Sequence, residues 1–204
     1  MYNYCVFIYR RPNEAILKVI QLHHNNNTTL IKKAAKGKRG AQQALFDIHA
    51  PKMLSVCRYY IKDMQNAEAV MLKAFFKAFV NLKSFKNEGS FEGWLRRIMV
   101  RESISFLRQE KHVEFFVDDD AIHQEHYNNI ASQIEVAQIQ QLIDELPEGY
   151  KMVFVMYAVE GYKHQEIATI LNISLGTSKS QLFKARQLLQ AKINDINTTS
   201  YGTN

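Results

Sequence analysis

The chain has 204 residues, 47% hydrophobic and 23% charged, so it is long enough to bury a core and is unlike a disordered protein. Its 8 glycines and 3 prolines are few, which favours helices over a sandwich or barrel of short strands. Cys5 and Cys57 lack metal-ligand spacing, and there is no phosphate-binding Gly-Lys loop. We therefore predict no metal, no cofactor and no catalytic residues, so the chain is not expected to be an enzyme.

The charges are unevenly distributed along the chain. Residues 30–111 contain 17 Lys and Arg against 7 Asp and Glu, within a net charge of +6 for the whole chain. Residues 112–140 contain six acids and no Lys or Arg, and residues 141–193 contain six basic and five acidic side chains. This layout predicts a basic module, an acidic connector and a nearly neutral module, with a polyanion as partner of the first.

The sequence assigns no role to the N-terminal extension, residues 1–29. Its short apolar run is interrupted by Arg10 and Pro12, and it has neither a basic lead-in nor a small-residue cleavage site. No apolar stretch approaches the roughly 20 residues needed to cross a bilayer. We therefore predict no signal peptide, no direct membrane insertion and a cytoplasmic location.

The first module is predicted to be helical. A helix is expected over residues 41–49, and Pro51 is expected to open a second that runs to about Ile61, since proline suits a first helical turn. Asn66 is a candidate N-cap for a third helix. The apolar residues of that helix follow the spacing of a buried stripe: Met71, Phe75, Ala78, Phe79 and Leu82.

Ser90 is predicted to cap the next helix, residues 91–111, after a loop over residues 83–90. Its apolar residues Phe91, Trp94, Leu95 and Ile98 share one face. Its three arginines, which we call the arginine stripe, fall on another face: Arg97, Arg101 and Arg108. Such a stripe suits a surface that holds phosphates. The alternative is a solvated face paired locally with acids such as Glu102.

The C-terminal module, residues 135–194, follows a connector over residues 112–134 that has little periodicity and is predicted to be extended or flexible. Helical spacing resumes at Val136, Pro147 is expected to start another helix and Gly161 to end it. The tail, residues 195–204, is predicted to be flexible.

Residues 164–193 fit a helix-turn-helix. The segment "HQEIATIL" forms the first helix, Asn172 to Ser174 the turn, and the second helix begins near Gly176. A helical wheel places Leu175, Leu182, Ala185, Leu189 and Ile193 on one side and Thr177, Ser180, Gln181 and Lys184 on the other. The short polar side could enter a major groove and reach base edges and phosphates. The alternative is an amphipathic helix that only packs.

From about Leu30 to Ile193 the chain resembles the extracytoplasmic-function sigma factors, the smallest bacterial sigma factors. The second conserved region of that family is similar to "NAEAVMLKAFFKAFVNLKSFKNEGSFEGWLRRIMVRESISFLR", and the fourth to "LPEGYKMVFVMYAVEGYKHQEIATILNISLGTSKSQLFKARQLL". In the fourth region, Leu146-Pro147, Val159-Glu160-Gly161, Glu166-Ile167-Ala168, Gly176-Thr177, Lys179-Ser180 and Lys184-Ala185-Arg186 stand at the family's spacing.

The resemblance implies an all-α fold of two helical domains joined by the acidic linker. The first domain, residues 30–111, would bind core RNA polymerase and recognise and melt the minus-ten promoter element. The second, residues 135–194, would read the minus-thirty-five element with its helix-turn-helix. The chain is thus expected to be a transcription initiation factor whose partners are polymerase core, promoter DNA and an anti-sigma factor.

The resemblance also implies roles for particular residues. Those expected at the minus-thirty-five element are Lys179, Ser180, Phe183 and Lys184, to which the helical wheel adds Thr177 and Gln181. Those expected at the minus-ten element are the loop residues Phe85, Lys86, Asn87 and Ser90, as a pocket for a flipped base, and the arginine stripe along the backbone. Trp94 is either a melting wedge or part of the core, and Phe183 meets a thymine methyl or packs.

Some positions depart from the family pattern. Glu68 survives from an acidic set expected at the polymerase clamp, whereas Leu72 and Lys73 replace polar and acidic residues there, which predicts a more apolar contact. Ser178 replaces a usual valine on the packed side of the recognition helix and is expected to weaken its docking slightly. The main rival interpretation is a stand-alone helix-turn-helix regulator, which leaves the basic first module unexplained.

Overall fold

The computed structural model of the chain describes residues 28–86, 89–110 and 136–201, with the side chains of residues 138–196 in the last range. Within these ranges every regular element is helical and no strand occurs, which confirms the predicted all-α fold. The predicted linker, Asn87 and most of the N-terminal extension lie outside the described residues.

The helices form two groups in chain order. The first group, which we call the N-terminal module, consists of α1 (residues 28–35), α2 (Arg39–Tyr60), α3 (Met64–Val80), a 3₁₀ turn (Leu82–Ser84) and α4 (Phe91–Glu110). The second, the C-terminal module, consists of α5 (Val136–Asp144), α6 (Glu148–Phe154) continued by a π-helical turn (Val155–Val159), α7 (His164–Leu171) and α8 (Leu175–Tyr201). Helices α2, α3 and α4 pack against one another, and α8 packs on α6 and α7.

Helix α2 is one continuous helix, so the prediction of two helices separated before Pro51 is wrong. Proline cannot donate a backbone hydrogen bond to the preceding turn, which usually ends or kinks a helix. Here Pro51 lies on the exposed side of α2, while Leu45, Met53 and Val56 are buried on the other side. Burial of that apolar face on both sides of the proline therefore outweighs one missing hydrogen bond.

Helix α3 begins one turn earlier than predicted. The carboxylate of Asp63 accepts a hydrogen bond of 2.8 Å from the backbone N–H of Asn66, so Asp63 is the N-cap and Asn66 lies inside the helix. The predicted stripe is confirmed, because Met71, Phe75 and Ala78 are buried. The periodicity identified the buried face correctly, whereas the choice among neighbouring capping residues depended on local geometry.

The helix-turn-helix is confirmed in its bounds. Asn172 ends α7 in the left-handed conformation with φ 56°, and α8 begins at Leu175. The predicted flexible tail is wrong as far as Tyr201, because α8 continues to that residue. The sequence from Thr177 to Tyr201 contains neither proline nor glycine. An ion pair between Lys192 and Glu145, which precedes α6, also holds the second half of α8.

Two carboxylates of the C-terminal module are buried against arginines of the N-terminal module. Glu160 accepts hydrogen bonds from Nε and Nη2 of Arg96, the latter at 2.8 Å. Asp144 accepts hydrogen bonds of 3.0 and 2.6 Å from the guanidinium of Arg58. The two carboxylate side chains are only 2% and 6% exposed. Each buried charge thus has a bidentate partner, which is the geometry that a buried carboxylate requires.

We expect the double substitution Asp144→Asn and Glu160→Gln to separate the two modules. The amides cannot neutralise the guanidinium groups of Arg58 and Arg96, so the docked arrangement loses two charge-assisted contacts. Lys151 within the C-terminal module also loses its contact with the Asp144 carboxylate, which is 3.4 Å away. We expect a loss between about 1 kcal/mol per pair, the upper value for exposed pairs, and about 3 kcal/mol for buried ones. The radius of gyration from small-angle X-ray scattering should rise while the helical circular dichroism signal stays.

The matched control is Lys52→Ala, which removes an exposed ion pair with Glu92 inside the N-terminal module, 3.2 Å long. Exposed pairs contribute little, so this variant should keep the wild-type radius. An unchanged radius in the double variant as well would show that the carboxylates do not hold the modules together.

Candidate nucleic-acid interface

The arginine stripe lies on the exposed side of α4. Arg97, Arg101 and Arg108 are all exposed, as predicted. Glu102, the acid named as a local partner, is buried and instead accepts a hydrogen bond of 2.6 Å from Lys77 on α3. Neither Arg97 nor Arg101 forms an ion pair with another described residue, and both side chains are exposed.

Part of the stripe borders a cleft of about 630 Å³ between the two modules. The N-terminal module contributes Gly93, Arg96, Arg97 and Arg101, and the C-terminal module contributes Glu160, Gly161, Tyr162, Glu166, Thr169 and Ile170. Arg108 forms a further contact between the modules, because its guanidinium donates a hydrogen bond of 2.9 Å to the carbonyl of Ile170. The cleft is of small-molecule size. In the docked arrangement, therefore, no DNA duplex fits between α4 and the C-terminal module.

Electrostatic effects at this cleft follow from burial and from the paired charges. The hydrogen bond to Glu160 raises the pKa of Arg96, so that guanidinium stays protonated. Burial, followed by the Glu160 carboxylate, raises the pKa of Tyr162, while Arg101 and Arg97 act in the opposite direction. The carboxylate of Glu166 accepts a hydrogen bond of 2.8 Å from the backbone N–H of Lys163 and so belongs to the cap of α7.

The loop before α4 leads into an aromatic cluster. The rings of Phe85, Phe91 and Trp94 lie 5.5–5.7 Å apart between centroids. Trp94 is half-buried in this cluster, which favours the core alternative over a melting wedge. The hydroxyl of Ser90 accepts a hydrogen bond of 3.0 Å from the N–H of Gly93 and caps α4, as predicted. Lys86 is exposed beside the cluster.

The predicted polar face of α8 is largely buried. Thr177, Ser180 and Gln181 are only 6%, 8% and 2% exposed, so the expectation of an open polar surface at these three positions is wrong. Helix α8 packs on α6 and α7, and short polar side chains such as Thr177 and Ser180 allow a close approach between helices. The wheel also misplaced Leu175, which is exposed.

Three predicted contact residues of α8 remain accessible. Lys179 is exposed, and Phe183 and Lys184 are partly exposed. The hydroxyl of Ser180 is directed into the helix, where it donates a hydrogen bond of 3.1 Å to the carbonyl of Thr177. The basic and aromatic side chains, rather than the hydroxyls and the amide, therefore form the open surface of this helix.

Helix α3 presents an exposed apolar stripe that the sequence analysis recognised only in part. Leu72, Phe76 and Val80 are 54%, 70% and 63% exposed. Glu68 is exposed at the preceding position of the same four-residue spacing. Lys73 is also exposed, with its ammonium 3.7 Å from the Glu102 carboxylate. The continuing spacing from Leu72 was the signal that could have identified Phe76 and Val80.

Two family models match the chain. The model for Sigma-70 region 2 matches residues 45–113, and the model for Sigma-70 region 4 matches residues 137–189. The first match covers α3, α4 and most of α2, with the arginine stripe and the apolar stripe. The second covers most of α5, and α6, α7 and the first half of α8, with the helix-turn-helix. Together the two matches include the arginine stripe and the apolar stripe of the N-terminal module and the helix-turn-helix of the C-terminal module.

Curated relatives align over most of their length. The extracytoplasmic-function sigma factor SigW of Bacillus subtilis is 29% identical over 81% of this chain and 96% of its own. The sigma-E factor of Escherichia coli K12 is 26% identical over 82% and 94%. The RNA polymerase sigma-H factor of Pseudomonas aeruginosa is 25% identical over 86% and 97%.

Two solved structures are also similar. CnrH in complex with the cytosolic domain of CnrY has a TM-score of 0.49 and 22% identity, over 82% of this chain and 96% of that one. The sigma factor RpoE of Bartonella quintana, in complex with the anti-sigma factor NepR, has a TM-score of 0.49 and 20% identity, over 74% and 96%. The paired region-2 and region-4 matches and the full-length relatives show that the chain belongs to the extracytoplasmic-function sigma factors, which are transcription initiation factors.

Proposed function

We propose that the N-terminal module binds core polymerase and the minus-ten element while the C-terminal module binds the minus-thirty-five element. The observation that carries this division is that the region-2 match contains the exposed arginine stripe of α4 and the region-4 match contains the helix-turn-helix. Copurification with core polymerase and start-site selection by the reconstituted holoenzyme test it. A stand-alone helix-turn-helix regulator would show neither.

The minus-ten surface is proposed to use the arginine stripe for phosphates. Arg97 and Arg101 have no ion-pair partner among the described residues, and guanidinium groups bind phosphate oxygens with two hydrogen bonds. Lys86 adds an exposed charge at the loop, and the half-buried Phe85 ring offers a stacking surface for an unpaired base. Ser90 acts mainly as the cap of α4. Asn87 stays a prediction outside the described residues.

The minus-thirty-five surface is proposed to use Lys179, Phe183 and Lys184. A lysine ammonium reaches phosphates or guanine, and an aromatic ring packs on the thymine methyl group. Thr177 and Gln181 are assigned to packing on α6 and α7 because both are buried. Ser180 is assigned to the same face, since its hydroxyl bonds within α8.

The polymerase contact is proposed to be the apolar stripe of α3, with Glu68 at its start. A row of three exposed large apolar side chains is unusual on a protein surface without a partner. This extends the predicted contact of Leu72 to Phe76 and Val80. Lys73 contributes less than predicted, because its ammonium faces Glu102 within the module.

Promoter binding on this proposal requires the two modules to separate. In the docked arrangement Arg108 is bonded to Ile170, and Arg97 and Arg101 face a cleft that a duplex does not enter. Movement of the C-terminal module releases Arg108 from Ile170 and widens the cleft beside Arg97 and Arg101. It also frees α8 to reach a second DNA element.

The cellular setting follows from the same proposal. A sigma factor acts beside polymerase, so we propose that the chain works in the cytoplasm. No helix within residues 28–86, 89–110 and 136–201 has the length and hydropathy of a membrane span. An anti-sigma partner, which the family resemblance implies, stays a prediction.

We expect the double substitution Arg97→Glu and Arg101→Glu to abolish promoter melting. Two reversed charges repel the phosphates that the stripe is proposed to hold, and both side chains are exposed, so the fold should persist. Permanganate reactivity of minus-ten thymines, with reconstituted holoenzyme, measures melting directly. The control is Lys33→Glu with Lys36→Glu, an equal charge change on and just after α1. Normal melting by the arginine variant would show that the stripe is a solvated face without a role in melting.

We expect Leu72→Glu with Phe76→Glu to weaken core polymerase binding at least tenfold, because two carboxylates replace apolar contact area at the proposed interface. Pull-down titration with core enzyme gives the affinity. Ile48→Glu, at another exposed apolar position on α2, is the matched control and should bind normally. Equal binding by all three proteins would contradict the assignment of α3.

A further inference from the structure

A polar contact joins the two helices of the helix-turn-helix. Nδ1 of His164, the first residue of α7, lies 2.9 Å from Oγ of Ser178 on α8. Ser178 is fully buried, whereas the imidazole is partly exposed. The buried hydroxyl therefore makes a specific contact with α7, while the expectation that Ser178 weakens the docking of α8 relative to valine stays a prediction.

The other side of this contact leads to the π-helical turn. The His164 ring is stacked on the ring of Tyr157, with centroids 4.6 Å apart and planes inclined by 26°. The guanidinium of Arg186, further along α8, lies 5.6 Å from the centroid of the Tyr157 ring. Tyr157 belongs to the π-helical turn, a distortion that is frequent at functional sites.

The four side chains together hold α8 at two points. Ser178 and Arg186 are eight residues apart, which is about 12 Å along a helix. The accessible residues Lys179, Phe183 and Lys184 lie between them in the sequence. Rotation of α8 about its axis would change both the length and the angle of the bond to His164, and a hydrogen bond weakens steeply when its angle departs from linear.

We propose that His164 is a positioning residue for minus-thirty-five recognition, which fixes the rotation of α8 through Ser178 and Tyr157. This rests on the proposed function of α8. A 20° rotation of a helix moves a side-chain tip, 5–6 Å from the axis, by about 2 Å. That displacement is enough to remove a hydrogen bond to a base or phosphate. Burial, followed by the nearby Lys179 and Arg186, lowers the pKa of His164, so the contact involves the neutral imidazole at pH 7.

The test is a double-substitution cycle with His164→Phe and Ser178→Val. Phenylalanine keeps a ring to stack on Tyr157 but cannot bond Ser178, and valine removes the hydroxyl. Each single variant leaves one polar group without its partner, whereas the double variant is apolar on both sides and should recover wild-type stability in urea. Tyr157→Phe, which keeps the stacked ring, is the control.

The readout is transcription from a promoter whose start site has been mapped with the wild-type protein. The ratio of transcripts from the intact promoter to those from a version with its minus-thirty-five block scrambled measures the contribution of α8. We expect both single variants and the double variant to lower this ratio about tenfold, in the range that one lost specific contact produces. Transcription from the scrambled promoter and the ratio for Tyr157→Phe should stay unchanged.

The outcomes separate positioning from simple packing. Recovery of stability in the double variant without recovery of the ratio supports the positioning role. Recovery of both, or a ratio that no variant changes, overturns it. A wild-type ratio of one overturns the proposed minus-thirty-five function of α8 and the role of His164 with it.

Discussion

The pairing of two buried carboxylates with arginines of the other module is the interaction on which the arrangement of the structure depends. Glu160 and Asp144 are almost fully shielded, and their partners Arg96 and Arg58 come from α4 and α2. A charge in such a site needs a bonded counter-ion, so sliding of the modules would leave Glu160 without Arg96, whereas Asp144 would keep Lys151 of its own module at 3.4 Å. Glu160 directly precedes Gly161, whose φ of 75° lies in the left-handed region, so the contact lies next to the turn that leads into the helix-turn-helix.

Local signals in the sequence were sufficient for most of the helices. The stripe of α3, the Ser90 cap of α4 and the bounds of α7 all follow from patterns within a few residues, and the structure confirms them. The errors lie where packing at a distance decides. Pro51 is tolerated because the opposite face of α2 is buried, and α8 extends to Tyr201 past a segment whose composition is typical of a tail.

The recognition helix shows why polarity alone did not identify the open surface. Thr177, Ser180 and Gln181 are polar but small enough, or flexible enough, to lie where α6 and α7 come close, and they are buried there. Lys179 is long and charged and stays in solvent. A helical wheel that separates polar from apolar residues therefore located the helix, but it located the exposed face of that helix only approximately. The His164–Ser178 contact could not be predicted, since it joins residues 14 positions apart.

On the proposed function, docking and promoter binding use neighbouring cations of α4 and share one of them, Arg108. Arg96 is committed to Glu160 and Arg108 to the Ile170 carbonyl, and Arg97 and Arg101 lie beside them on α4. A phosphate backbone that follows the stripe must displace the C-terminal module, so the free energy of docking is subtracted from that of DNA binding. The coupling is reciprocal: whatever holds the modules apart strengthens DNA binding, and DNA bound to α4 weakens docking by the same factor. The pairing of carboxylates with arginines thus contributes to the free energy that DNA binding must overcome. A partner that binds either module can raise or lower that free energy.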